Sequence, residues 1–164
     1  MGKVLSLSEL MQLRRSWKST NKNVVFTNGV FDILHRGHVE YLAAARALGD
    51  TLIVGVNSDA SVKRIKGPLR PIVNEQDRAF LVSQLVPVDA VCIFDEDTPL
   101  ETITAVIPDI LVKGADWKVG NIVGKDIVES HGGRVLTVPL VPQRSTTTII
   151  ERIRELHSGK EKNQ

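Results

Sequence analysis

Thr27-Asn28-Gly29-Val30-Phe31-Asp32-Ile33-Leu34-His35-Arg36-Gly37-His38 follows directly on the apolar run Val24-Val25-Phe26. A short β-rich run that breaks into a polar, glycine-containing loop and resumes as the helical pattern His38 to Leu48, ended by Gly49, reads as one strand–loop–helix unit. The alternation repeats along the chain. Strands are predicted over Val24 to Thr27, Thr51 to Asn57, Asp89 to Phe94, Asp109 to Lys113 and Arg134 to Val138. Between them, Glu75 to Leu85 reads as a helix behind Asn74, a capping residue. Thr98-Pro99-Leu100-Glu101 combines a capping box with proline at the first helical position, which predicts a helix start at Pro99. Gly124 to His131 precedes a Gly132-Gly133 stop, and Ser145 opens a final helix through about Leu156. Nearly continuous apolar strands separated by helices indicate a parallel sheet covered on both faces. The expected fold is α/β, a doubly wound sheet of five parallel strands in a single domain.

Upstream, Leu7, Leu10, Met11 and Trp17 recur at helical spacing behind Ser6 and Ser8, which predicts an amphipathic helix packed on the core. Residues 1–23 then form a helix and linker, 24–157 the main domain, and 158–164 a polar, frayed tail. With 164 residues, 42% hydrophobic and 24% charged, the chain has the composition of one globular domain. Lys plus Arg is 21 against 19 for Asp plus Glu, a formal charge of +2, so bulk charge gives no reason to expect a nucleic-acid partner. No apolar run approaches the roughly 20 residues of a membrane span, and no signal sequence opens the chain, so a cytoplasmic protein is expected. The single cysteine, Cys92, sits in an apolar run and reads as a small buried hydrophobe.

Parallel α/β sheets bind ligands at the carboxyl ends of their strands, which is where His35 and His38 arrive. Two imidazoles flanking a glycine at a helix start can both donate N–H bonds to one anion, and the helix amides attract the same charge. Gly37 would let phosphate oxygens approach the backbone, and Gly29 would allow a tight turn beneath them. Three other readings compete: a capping histidine with a solvated partner, a zinc site, and a dinucleotide fold. Zinc needs further ligands, yet His131, His157 and Cys92 form no local cluster. A dinucleotide fold needs G-x-G-x-x-G after the first strand, which Gly29 does not begin.

Gly29-x-Phe31-Asp32 followed by His35-x-Gly37-His38 resembles the HxGH nucleotidylyltransferase superfamily, in its cytidylyltransferase-like branch. Arg144-Ser145-Thr146-Thr147-Thr148-Ile149-Ile150 is similar to that branch's S-T-T-x-I signature, which opens the last helix and supplies hydroxyls and amides to nucleotide phosphates. Read without the resemblance, Ser145 is an ordinary helix cap. The likeness runs from about Val24 to Arg154. Within it, Leu52 to Asp59, Lys66-Gly67, Arg70-Pro71 and Lys113-Gly114-Ala115-Asp116-Trp117 resemble the members that adenylylate a heptose 1-phosphate, found alone or joined to a heptose kinase. This chain has no kinase half, so a stand-alone enzyme is expected. Ala115 stands where a second glycine is usual in those members, and Trp117 where tyrosine is common.

The resemblance implies a Rossmann-like fold, a homodimer, and transfer of the adenylyl group of ATP, with Mg²⁺ held by phosphate oxygens and water rather than by protein ligands. It implies His35, His38 and Lys66 as catalytic residues. Asn28, Gly29, Phe31, Gly37, Lys113, Gly114, Asp116, Trp117, Arg144, Ser145, Thr146 and Thr147 would bind the nucleotide. Asp32, Asn57, Asp59, Lys63 and Arg70 would take the sugar phosphate. The residues themselves leave some of this open. Lys63 and Arg64 can equally be a solvated helix face, whereas Lys66, before Gly67, reads as functional; Asp59 can cap the helix after the second strand, and Asp32 can orient the loop. A cytidylyltransferase acting on glycerol 3-phosphate is a same-class rival, although its R-T-x-G-I lead is replaced here by Leu140-Val141-Pro142-Gln143-Arg144. A nucleotide-binding module without turnover is the rival from another class.

Overall fold

Side chains on neighbouring positions of a strand point to opposite faces, and here both faces are apolar. Val25, Leu52, Val54, Val56, Val91 and Val112 pack on one side of the sheet against Tyr41, Leu42, Ala45, Ala79 and Val82. Val24, Phe26, Ile53, Ala90, Cys92 and Leu111 pack on the other against Leu10, Trp17, Ile103, Val106 and Val128. The chain is therefore doubly wound, with helices over both faces of one parallel sheet. The computed structural model describes residues 2–158.

The strands are β1 (Lys3–Val4), β2 (Val24–Gly29), β3 (Thr51–Asn57), β4 (Ala90–Phe94), β5 (Ile110–Gly114) and β6 (Arg134–Val138). The helices are α1 (Leu7–Ser19), α2 (Arg36–Arg46), α3 (Asp59–Lys66), α4 (Glu75–Ser83), α5 (Leu100–Val106), α6 (Lys125–Ser130) and α7 (Thr146–Ser158). The sheet has six strands in the order β1-β4-β3-β2-β5-β6, every pair parallel. The expectation of five is corrected by β1, whose two residues pair with Ala90 and Val91. A two-residue strand, exposed at both positions, carries no periodicity that a sequence pattern can reveal.

Several boundaries also move. Helix α2 begins at Arg36, with His35 at its N-cap, and ends at Arg46 rather than running from His38 to Leu48. The capping box expected at Thr98 does not form: α5 begins at Leu100, Pro99 occupies the cap, and no side chain bonds the free amides. At α3 the cap is Ser58, whose Oγ accepts from the Ser61 amide, and not Asp59. Ser6 and Asn74 do cap α1 and α4, Ser6 in a full capping box with Glu9. Ser158 closes α7, and the remainder of the expected tail lies outside the described residues.

From β2 the chain winds outward through β3 to β4, then returns to place β5 on the other side of β2. The switch point of the topology lies between β2 and β5, and the crevice above it is where such sheets hold ligands. The His35–His38 loop leaves β2 and the Lys113–Trp117 segment leaves β5, so both arrive at that crevice.

Candidate active site

Two adjoining cavities open above the switch point. The first, of about 270 Å³, is lined by Asn28, Gly29, Phe31, His35, Gly37, His38, Tyr41, Lys113, Gly114, Asp116, Trp117, Leu140, Arg144, Ser145 and Thr146. The second, of about 560 Å³, shares Asn28, Gly29, Phe31, His38, Lys113, Trp117 and Thr146 and adds Asp32, Asn57, Lys66, Arg70, Asp97, Pro99 and Thr147. The histidine loop and the Ser145-Thr146 segment, far apart in sequence, thus meet across one space.

The imidazoles of His35 and His38 stack, ring centroids 3.8 Å apart at 19°. Phe31 presses edge-on against His38 at 5.3 Å and 61°. Both Nδ1 atoms are buried without a hydrogen-bond partner among the described residues. His35 occupies the N-cap of α2, yet its side chain makes no capping bond, so the reading of it as a cap is set aside. Burial, reinforced by His35 and only partly offset by Asp32, pushes the His38 imidazole down to about 4. Burial and the nearby Arg144 guanidinium lower His35 as well. Two neutral rings, each with a buried Nδ1 that has no partner among the described residues, therefore line the first cavity.

The glycines make room here rather than turns. A Cβ on Gly37 would lie 3.0 Å from His35 Nδ1 and 3.1 Å from Arg144 Cβ. One on Gly29, which is a strand residue and not a turn, would lie 3.1 Å from the Phe31 ring. Phe31 and Ile33 themselves hold φ of 52° and 53°, a left-handed conformation that costs a non-glycine residue of order 1 kcal/mol or more.

Asp32 fixes that loop. Its carboxylate accepts the amides of Ile72 and Val73 and pairs with Arg70 at 2.7 Å, and it is 1% exposed. Burial alone would raise its pKa, but these donors outweigh it and hold the carboxyl below its ordinary value. Thr146 Oγ1 donates to the Asp32 carbonyl, tying the start of α7 to the same loop. Asp32 is thus an internal fastener of that loop, and it also lines the second cavity. Asp59 is likewise taken up, pairing at 2.8 Å with Arg78, and it lines neither cavity. Lys63 also lies outside both. Arg64, the other member of the basic run, pairs with Asp97 at 2.6 Å. Lys66 remains, at the end of α3, where Gly67 at φ 94° turns the chain.

Arg78 escaped the sequence reading. Its side chain is fully buried on α4 and donates to the carbonyls of Val30, Asn57 and Val73. One guanidinium thus joins the loop after β2, the end of β3 and the segment that carries Arg70. In Glu75-Gln76-Asp77-Arg78 it looks like one more surface charge, and no sequence signal distinguishes it.

Ser145 Oγ accepts from the Thr148 amide at 3.1 Å and caps α7. Capping and facing the cavity are therefore compatible roles for this residue. Lys113 Nζ donates to Asn28 Oδ1 and lies 5.5 Å from the Trp117 ring centroid. Burial draws the Lys113 ammonium down to about 8, against a smaller opposing pull from Asp116. No group of three His, Cys, Asp or Glu among the described residues is placed to hold a metal ion.

Residues 26–159 match the family described as Cytidylyltransferase-like. The chain belongs to the cytidylyltransferase-like family. It is 52% identical over 160 residues, 98% of its own length, to the bifunctional protein HldE of Trichlorobacter lovleyi, of which it spans 33%. It is 56% identical over 148 residues to that of Syntrophotalea carbinolica, covering 90% of this chain and 30% of that protein. The chain therefore spans about a third of the length of the curated relatives it matches. Among solved structures, the lipopolysaccharide core biosynthesis protein of Thermoplasma volcanium superposes with a TM-score of 0.60 at 36% identity. That likeness covers 73% of this chain and 97% of that one. In this cytidylyltransferase-like protein, the His35–His38 and Arg144–Thr146 segments both line the first cavity.

Proposed function

We propose that this chain transfers the adenylyl group of ATP to D-glycero-β-D-manno-heptose 1-phosphate, giving an ADP-heptose and pyrophosphate for lipopolysaccharide or other surface-glycan assembly. The meeting of His35 and His38 with Ser145 and Thr146 around one cavity, beside a second cavity edged by Lys66 and Arg70, carries this reading. One space suits a nucleoside triphosphate, and the other a phosphorylated sugar. The likeness to bifunctional HldE proteins supports the heptose.

In this reaction the protein must position two anions and offset charge as it moves, and no base is needed because the sugar phosphate is already ionised. His35 and His38 donate ring N–H bonds to the phosphate oxygens as negative charge builds on the leaving group, stabilisation of the oxyanion-hole type. Neutral before binding, they suit a site that an anion completes. Ser145, Thr146, Thr147 and the α7 amides hold the triphosphate, with Arg144 beside them. Gly114, Asp116 and Trp117 border the nucleoside, where the indole offers a face to the base. Lys66 attracts the sugar phosphate, and Asn57, whose Nδ2 is held by Ser61 at 3.0 Å, lines the floor of that cavity. Mg²⁺ would enter on the triphosphate, neutralising its charge, held by phosphate oxygens and water.

We place the reaction in the cytoplasm; no helix among the described residues is long and apolar enough to cross a membrane. We also assign a homodimer through the segment Leu85 to Asp89, where Val86 is 99% exposed. The deciding experiment measures pyrophosphate release with ATP or CTP, each against heptose 1-phosphate or glycerol 3-phosphate. ATP with heptose 1-phosphate should be fastest. Faster release from CTP and glycerol 3-phosphate would overturn the substrate assignment, and nucleotide binding without release from any pair would make the chain a binding module.

A further inference from the structure

Lys113 sits on β5 beside Asn28 of β2, at the switch point, and lines both cavities. The other cations of the site keep to one side or the other: Arg144 borders the first, Lys66 and Arg70 the second, and Arg70 is already paired with Asp32. Lys113 forms no salt bridge among the described residues. Its ammonium is held by a neutral amide oxygen and lies over the Trp117 ring, which orient it without cancelling its charge. An ammonium has three donors, and the amide uses one. A partly buried cation that spends one donor on an amide and has no carboxylate within salt-bridge distance among the described residues, at the seam of two anion-sized spaces, is a place for phosphate.

We propose that Lys113 is a catalytic residue that holds the acceptor's phosphate against the nucleotide's α-phosphate where the two cavities meet. This rests on the adenylyl-transfer reading above, and it changes the role of Lys113 from nucleotide anchor to bridge between substrates. The two substrates repel most at the point of contact. An acceptor phosphate oxygen supplies the electron pair of the new O–P bond. The bond from the α-phosphorus to the α–β bridging oxygen breaks, and its electron pair leaves with pyrophosphate. The dianionic acceptor has no proton to lose, and Lys113 keeps its own throughout. The burial that draws its ammonium down to about 8 is offset by the negative charge of an arriving phosphate, so its charge is firmest in the reacting complex.

The test compares wild type, K113M and K113R in pyrophosphate release from ATP and heptose 1-phosphate, together with calorimetric titrations of a non-hydrolysable ATP analogue alone and of inorganic phosphate alone. K113M should lose about 100- to 1,000-fold in kcat, as for a lost oxyanion donor, while its Kd for the analogue moves less than about threefold. K113M should also bind phosphate about tenfold more weakly, and K113R should recover part of the rate. The wild-type kcat/KM should fall above pH about 8, a limb that K113M lacks. A K113M kcat within about fivefold of wild type, or a loss that simply follows the analogue's Kd, overturns the proposal. If wild type does not turn over this substrate pair, the functional reading fails separately. The phosphate titration then decides Lys113: equal binding by wild type and K113M, or none by either, overturns its role. If K113M does not fold by circular dichroism, K113Q is read in the same way, and collapse of both makes the lysine structural and overturns the proposal.

Discussion

The His35 and His38 rings lie face to face with centroids 3.8 Å apart, close enough that a proton on one disfavours a proton on the other. Burial, reinforced by that repulsion, makes His38 resist protonation in the folded chain down to about 4, while an unfolded histidine takes its proton near 6.5. Between those values the unfolded state binds more protons, so stability falls as pH drops through that window. A shift of this size corresponds to about 3 kcal/mol. Urea unfolding at pH 7, 5.5 and 4.5 should show the loss, and His38→Gln should flatten it. An equal slope in the variant would locate the acid sensitivity elsewhere.

Removing either ring should cost turnover rather than fold. His35→Ala and His38→Ala are each expected to lower kcat by about 100- to 1,000-fold, the usual cost of one oxyanion donor. Circular dichroism should stay that of the wild type. A variant that keeps most of its turnover would remove that histidine from the mechanism.

Asp32→Ala leaves the Ile72 and Val73 amides and the Arg70 guanidinium without their acceptor. A loss of about 3 kcal/mol is expected, since breaking a buried pair strands its partner. Asp32→Asn, which still offers an oxygen to the amides, should lose less. In both, KM for the sugar phosphate should rise more than KM for ATP, because the released segment carries Arg70. Equal changes in the two constants would count against this division.

Arg78→Met should be among the most damaging substitutions away from the cavities. It orphans three carbonyls and Asp59, with an expected cost of about 3 to 5 kcal/mol in denaturant unfolding. A loss below about 1 kcal/mol would mean that water replaces the guanidinium.

Gly37→Ala tests space rather than chemistry. Alanine favours a helix by about 1 kcal/mol over glycine, but its methyl would meet His35 Nδ1 at 3.0 Å and Arg144 Cβ at 3.1 Å, so the two effects offset and stability should change little. The new methyl, 3.0 Å from His35 Nδ1, should displace that ring and weaken ATP binding. Unchanged affinity would show that the ring yields without consequence.

The sheet was legible because its central strands are buried on both faces and so read as unbroken apolar runs. Val24 to Phe26 and Leu52 to Val56 needed no other signal. The segments that form the first cavity were legible because their glycines, histidines and hydroxyls cluster within a few residues. What stayed hidden was partnership across the chain. Nothing near Asp32 in sequence indicates that Ile72 and Val73, about forty positions on, consume its carboxylate. Arg78 was invisible for the same reason. The failed capping box at Thr98 is local pattern overruled by local geometry, with Pro99 at the cap and no side chain bonding the free amides.

The outermost strands have a bearing on how the protein behaves in crowded solution. Sheet edges are templates on which other chains can add, and fibrils grow by that addition. One edge here is only Lys3–Val4, and the other begins at Arg134; both open on an exposed basic residue. A strand from a second molecule would find a two-residue ladder on one side and a positive charge at the head of either. The small strand that sequence patterns miss thus guards against self-association into extended sheets, and neutralising Lys3 and Arg134 together should be felt first as turbidity on concentration, before any change in melting temperature.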